Sequence, residues 1–295
     1  MAIFSRSWNL FSATWQVLRA EKSFVFYPIL AAVVVLAISA LILGGGAALV
    51  ATHPELQQAL NASGQQGAAP SLVTPVSLLL LFLYYLTVYF VINFFMTALV
   101  GAALKRLEGS DPGFSDGIRI ARSRLGAIAS YSAIAATVGV LFSLLRGRQG
   151  QGIAGAVIAG VGGMAWSVAT FLVVPVLAAK GLGPIAAIKE SASLVRRTWG
   201  EQLTGTLGMG AVFGLLMVLV VIATFGLAGV AAQAGQQIFV VPTLIVGVTL
   251  FALLAVVNSA LLGIYRGAVY LYAERGEVAP QFDRSTITRA FGPKR

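Results

Sequence analysis

At 295 residues the chain is 58% apolar and only 10% charged, against roughly 25% charged in an ordinary soluble domain. A water-soluble fold of this length lacks the polar surface to cover that much apolar material, and several uninterrupted apolar runs exceed the ~18 residues that mark a membrane-crossing helix. Twenty Lys and Arg against ten Asp and Glu give a net charge of +10, which raises nucleic acid or an anionic membrane surface as partner. The lack of cysteine excludes disulfides, iron–sulfur clusters and thiol catalysis.

The opening segment, Met1–Lys22, is too long and too amphipathic for the short basic start of a secretory signal, so a retained helix is expected. Phe4, Trp8, Phe11, Trp15 and Leu18 fall at i, i+4, i+7, i+11 and i+14, one face of a helix over about residues 4–19. Six apolar spans follow, at about 24–50, 74–104, 125–145, 153–179, 204–232 and 239–264 or beyond. Most exceed the ~20 residues a bilayer core requires, so they must tilt, kink or emerge into the headgroups. Gly44–Gly46 is expected to end the rigid part of the first span, and Pro175 to kink the fourth. The expected fold is therefore all-α, a single polytopic bundle.

Basic residues set the orientation. With the N terminus inside, 18 of the 20 Lys and Arg fall on inner segments, leaving only Arg146 and Arg148 outside. An odd number of spans would destroy that asymmetry, so both termini are expected to be cytoplasmic. The nucleic-acid option falls away, because the charge is a one-sided belt matched to lipid headgroups.

The inner segments also resemble one another. Spans two, four and six end in Ala-Leu-Lys-Arg-Leu-Glu-Gly109, Leu-Ala-Ala-Lys-Gly181 and Tyr-Ala-Glu-Arg-Gly276. Each then reaches a proline (Pro112, Pro184, Pro280) and a short helical pattern, at about 114–124, 184–199 and 282–291. This suggests three repeats of an interfacial helix followed by a hairpin, with an extra interfacial helix at one end. In the 184–199 helix, Ile185, Ile188, Ala192, Val195 and Trp199 share a stripe, with Lys189, Arg196 and Arg197 opposite. An apolar stripe facing away from a basic one suits a helix lying in the headgroup plane, although the same pattern would equally complete the fold.

Catalytic chemistry finds little footing. Asp and Glu are missing from the expected membrane core, which disfavours proton- or sodium-coupled carriers. His53 is the sole histidine, so neither a multi-histidine metal site nor a Ser-His-Asp triad can be assembled. Gly208-Met-Gly210 follows no strand and is not a dinucleotide loop. No metal or cofactor is expected, and the chain is expected not to be an enzyme. The small residues Gly155, Ala159 and Gly163, and Gly210 with Gly214, recur every four positions and would let helices approach closely, within one chain or between protomers. Asn61-Ala62-Ser63 in the outer loop would be a glycosylation acceptor only in a eukaryotic secretory setting.

Span two carries a polar stripe, Tyr85, Tyr89, Asn93 and Thr97, and span six offers Asn258, Ser259 and Arg266. Asparagine in hydrocarbon needs a partner, so Asn93 and Asn258 should face protein or water, as interhelical glue or as the lining of a groove. Arg266 should reach the inner interface, where it could meet phosphate or pair with an acidic residue.

The tract Trp166-Ser-Val-Ala-Thr-Phe-Leu-Val-Val-Pro175, with Gly183-Pro184 and Ser191 through Arg197-Thr-Trp199-Gly200, resembles a family of uncharacterised six-pass prokaryotic membrane proteins, defined only as a domain of unknown function. Ser5-Arg-Ser-Trp8, Val17-Leu-Arg19 and Tyr27-Pro28 resemble its opening pattern. The resemblance implies an all-helical protein of a prokaryotic cytoplasmic membrane and carries no assigned activity.

The expected function is that of a non-enzymatic membrane protein binding or organising lipids, and partner proteins, at the cytoplasmic leaflet. Arg6, Arg19, Lys22, Lys189, Arg196, Arg197 and Arg266 are the headgroup candidates. The alternative is a transporter, channel or scramblase-like conduit lined by Tyr85, Tyr89, Asn93, Thr97 and Asn258.

Overall fold

The structure, a computed structural model, describes residues 2–55, 57–58, 75–147, 153–199 and 204–276. Among them every regular element is helical. In chain order these are α1 (Ala2–Ala20), α2 (Phe26–Thr52), α3 (Pro75–Leu107), α4 (Phe114–Ser123), α5 (Leu125–Gly147), α6 (Ile153–Ala169), α7 (Val173–Lys180), α8 (Pro184–Trp199), α9 (Thr204–Gln233) and α10 (Val240–Arg275), with short 3-10 turns ahead of α2 and α10. Six segments are long and apolar enough to cross a membrane, α6 and α7 together forming the fourth. The chain is a multi-pass membrane protein with an all-helical bundle fold.

Two expectations change. Gly44–Gly46 does not end span one, because α2 runs unbroken to Thr52 and a Cβ at any of the three would meet nothing within 4 Å. Lipid-facing glycine loses no packing, and in hydrocarbon an interrupted ladder would strand backbone polar groups. Pro175 does more than bend span four. A break at Thr170–Leu172 separates α6 from α7, since the proline ring cannot sit against a helical carbonyl four residues back. The Leu172 N–H freed by the break is captured at 3.0 Å by the Ser191 hydroxyl of α8, so the interruption leaves that donor satisfied.

Of the small-residue stripes, Gly155, Ala159 and Gly210 lie outside the described side chains. A Cβ added at Gly163 or at Gly214 would meet nothing within 4 Å, so neither stripe is used there for packing inside this chain. Close approach falls elsewhere. Leu99 of α3 fills the space above Gly263 of α10, Thr224 of α9 that above Gly247, and the Tyr27 hydroxyl that above Gly117 of α4.

The protein core lies at one end of the bundle. On α10 the buried residues run from Ala260 to Leu271, whereas Val241, Ile245, Val248 and Leu253 are exposed. On α3 the buried residues fall between Val91 and Leu107, and Leu79, Leu80 and Leu83 face outward. The first span-forming helix, α2, has Tyr27 buried at its start, as is Phe24 in the 3-10 turn before it, and exposes Leu36, Leu41 and Leu43. The short helices α1, α4 and α8 pack around this same end. Helix α1 lies against α9 and α10, with Phe11 and Phe213 rings 6.1 Å apart, and α4 lies against α3. Side chains on the far halves of the spans meet lipid tails, which are as apolar as leucine, so helices need not seal against one another there.

Candidate functional site at the basic end

Three even-numbered spans finish at this end with the same device. Gly109, Gly181 and Gly276, each just past a helix, have φ of +90°, +61° and +70°, a region an L side chain enters only with strain. The Gly181 and Gly276 N–H groups bond to Leu177 O and Tyr272 O, and after α3 the Ser110 N–H reaches back to Lys105 O at 2.9 Å. Charges beside these caps tie the three ends together. The Lys180 ammonium bridges Glu190 of α8 at 2.8 Å and Glu274 of α10 at 2.7 Å, and Arg275 binds Glu108 at 2.8 Å. Spans two, four and six thus share an ionic clasp around pseudo-repeated caps. The third interfacial helix, read at 282–291, and Pro280 lie outside the described residues, as does the outer-loop Asn61-Ala62-Ser63.

Helix α4 is held by its own charge set. The Asp116 carboxylate accepts the Gly113 N–H at 2.9 Å and pairs with Arg119 and, at 3.6 Å, with Lys105. The backbone hydrogen bond, more than the two cations, holds this carboxyl below the ordinary carboxylate range, with desolvation opposing. The Tyr27 hydroxyl donates to Phe114 O at 2.8 Å, and the two rings stack 4.7 Å apart, which pins α4 to the base of α2.

The headgroup candidates take no part in these ion pairs. Arg19, Lys22, Lys189, Arg196 and Arg197 are exposed, and none makes an ion pair among the described residues. Arg19 rests over the Trp15 ring at 5.5 Å. The Arg6, Phe4, Trp8 and Trp199 side chains lie outside the described set. The stripe read on α8 is rotated in the structure. Ala187, Ser191, Leu194 and Val195 are the buried side, while Ile185 is 62% exposed. Sequence periodicity counted apolar residues and so passed over Ser191, which is buried because it serves the broken backbone of span four.

The polar stripe of α3 faces α5. Tyr85 and Tyr89 stack 6.0 Å apart and bracket Gly139, where a Cβ would stand 3.3 Å from the Tyr89 ring. The Asn93 amide donates to the Ser132 hydroxyl at 3.1 Å inside the core. Thr97 is fully buried with its hydroxyl unpartnered, whereas Thr87 and Thr137 turn theirs back onto helix carbonyls. Asn258 is half-buried on α10, and the neighbouring Ser259 hydroxyl lies 3.5 Å from the Met96 sulfur.

Among the described residues two arginines, Arg124 and Arg266, have a buried Nε without a partner; Arg124 packs over Gly181, and Arg266 is half-buried as a residue. The Arg266 Nε is sealed from solvent with no hydrogen-bond partner, and among the described residues no carboxylate is within ion-pairing distance. Of the two fates expected for it, the acidic partner is not found among those residues. The guanidinium lies 5.2 Å from the Phe171 ring, in the break of span four, and Phe171 meets Tyr265 edge-on at 6.4 Å. A desolvated cation–π contact contributes about 2 kcal/mol, less than the several kcal/mol that burying an unpaired ion costs. Phe171 was missed in the sequence. The signal available was Pro175, which places a break four residues upstream.

Metal chemistry has no visible scaffold: among the described residues there is no group of three or more His, Asp or Glu. The profile of a family of unknown function, DUF6159, matches residues 75–280, which is more than half the chain. The chain belongs to that family. In this DUF6159 member the matched stretch takes in five of the six spans, the clasp, the α6–α7 break and Arg266, whereas Arg19 and Lys22 lie outside it. No curated protein matches the chain significantly.

Proposed function

We propose that this DUF6159 member is a non-enzymatic membrane protein that binds and organises anionic lipids at the cytoplasmic leaflet of a prokaryotic inner membrane, both termini facing the cytoplasm. The carrying observation is a division of labour among cations at one end. Lys105, Arg106, Arg119, Lys180 and Arg275 are spent on Asp and Glu, while Arg19, Lys22, Lys189, Arg196 and Arg197 are exposed without such partners among the described residues. Each such side chain near an anionic surface contributes about 1 kcal/mol. A conduit along α3 has less support, because Asn93 is already bonded to Ser132 and Tyr85 and Tyr89 pack on Gly139.

Neutralising Lys189, Arg196 and Arg197 together to Gln should lower the anionic lipid that copurifies with the protein, measured by native mass spectrometry. Unchanged retention would remove the headgroup role. Orientation is tested separately. The chain has no native cysteine, so His53→Cys and Lys189→Cys each create a single thiol. An impermeant maleimide added to intact cells should label the first only, and the reverse pattern would invert the topology.

A further inference from the structure

The clasp, the polar stripe and the exposed outer halves of the spans are each accounted for by packing or by lipid. Arg266 is not. Its guanidinium carries five donors in a planar fork, yet its Nε is buried and unpartnered, and the contact the guanidinium makes is with an aromatic ring rather than an anion. The chain places no Asp or Glu within the hydrophobic part of any span, the nearest acid along α10 being Glu274, and Glu274 is already held by Lys180. No described residue supplies the counter-charge, and an anion from outside the polypeptide would.

Depth says where from. Arg266 stands about 39 Å of helical rise beyond Val240, at 1.5 Å per residue. A bilayer's hydrocarbon core is about 30 Å thick and its headgroups extend it to about 40–45 Å. With the outer end of α10 at one interface, Arg266 reaches the phosphate level of the opposite leaflet even when the helix is tilted. It does so inside the protein, beside the α6–α7 break, and interrupted helices at membrane depth persist where they are buried or line a site.

We propose that Arg266, backed by Phe171 in the break of span four, anchors a discrete site for one phosphate-class oxyanion, supplied either as a lipid phosphodiester or as a free anion. The site rests on the same membrane placement as the proposed lipid role but not on the exposed belt, so the two can fail independently.

The test uses the full chain in a neutral detergent, titrated separately with inorganic phosphate and with phosphatidylglycerol, diacylglycerol serving as the phosphate-free lipid control. Thermal unfolding reports occupancy, because a ligand of the native state raises Tm saturably. A saturable rise with inorganic phosphate identifies a free-anion site. A rise confined to phosphatidylglycerol identifies a lipid site. No rise with either, or an equal rise with diacylglycerol, overturns the proposal in the native protein whatever any variant does. Arg266→Gln should raise the half-saturating concentration by about tenfold or more, and should do so equally in the background of the Lys189, Arg196 and Arg197 triple variant, where the exposed belt no longer contributes. A monodisperse Arg266→Gln protein with native affinity overturns the proposal. If that variant does not stay monodisperse, Arg266→Lys replaces it: the charge is kept and the fork lost, so weaker binding is expected and native affinity again overturns the site. Loss of the phase in the triple variant alone would assign the anion to the belt and overturn the site at Arg266.

Discussion

Asp116 is one carboxylate with three jobs: capping α4 through the Gly113 N–H, and pairing with Arg119 and Lys105. Because its folded-state pKa lies below that of the unfolded chain, its contribution is present in full above the ordinary carboxylate pKa and is lost as pH falls through the lower, folded value. Wild-type stability measured in detergent should therefore drop below about pH 4 more steeply than that of Asp116→Asn, which has no charge to lose. Gly263 offers a steric counterpart. A Cβ there would run into Leu99, so Gly263→Ala should destabilise by about 1–3 kcal/mol through overpacking. Gly214→Ala, with open space above it, should be neutral or gain up to about 1 kcal/mol from helix propensity. Equal thermal shifts in the two variants would mean that α3 and α10 do not meet at Gly263. Neither glycine is distinguishable in the sequence, where both are small residues in apolar runs.

Span four is the element whose behaviour the sequence half disclosed. Proline announces an interruption, but whether the helix bends or separates depends on what receives the liberated backbone groups. Ser191, nineteen residues on and in another helix, receives the Leu172 N–H. Ser191→Ala should therefore cost about 1–3 kcal/mol, the penalty of a buried donor left unsatisfied, read as a lower Tm in a fixed detergent. A shift no larger than that of Ser130→Ala, whose hydroxyl only turns back onto its own helix, would show that the bond carries no weight. The α8 stripe makes the related point. Periodicity found a helix with one apolar side, but the buried side is turned towards Ala187, Ser191 and Leu194, because α8 is positioned by the backbone it repairs.

At the scale of the molecule, the clasp relates the ends of three spans that are far apart in sequence. Lys180 sits between Glu190 and Glu274 with all three about one-third exposed, so solvent screens the network and its worth is modest. Lys180→Met should lower stability by about 1 kcal/mol at low ionic strength, with the difference shrinking as salt is raised. A salt-independent loss would point to packing of the lysine stem instead. The placement of the core at the clasp end also explains why the far halves of α2, α3, α9 and α10 are uniformly apolar rather than amphipathic. They face lipid on most sides, and no polar face is needed.

The order of residues alone makes this an all-helical, multi-pass protein with its basic residues gathered on alternate connections, and it marks the Glu-Gly, Lys-Gly and Arg-Gly ends of spans two, four and six as related. Those features are local: apolar length, charge position and glycine after a helix each have a physical meaning within a few residues. Tertiary structure decided which cations are paired, which glycines are crowded, that Asn93 meets Ser132, and that Arg266 lies against Phe171 without a carboxylate among the described residues. A charge is the same letter whether solvated, clasped or buried. Only the neighbours that folding assembles around it fix its electrostatic state.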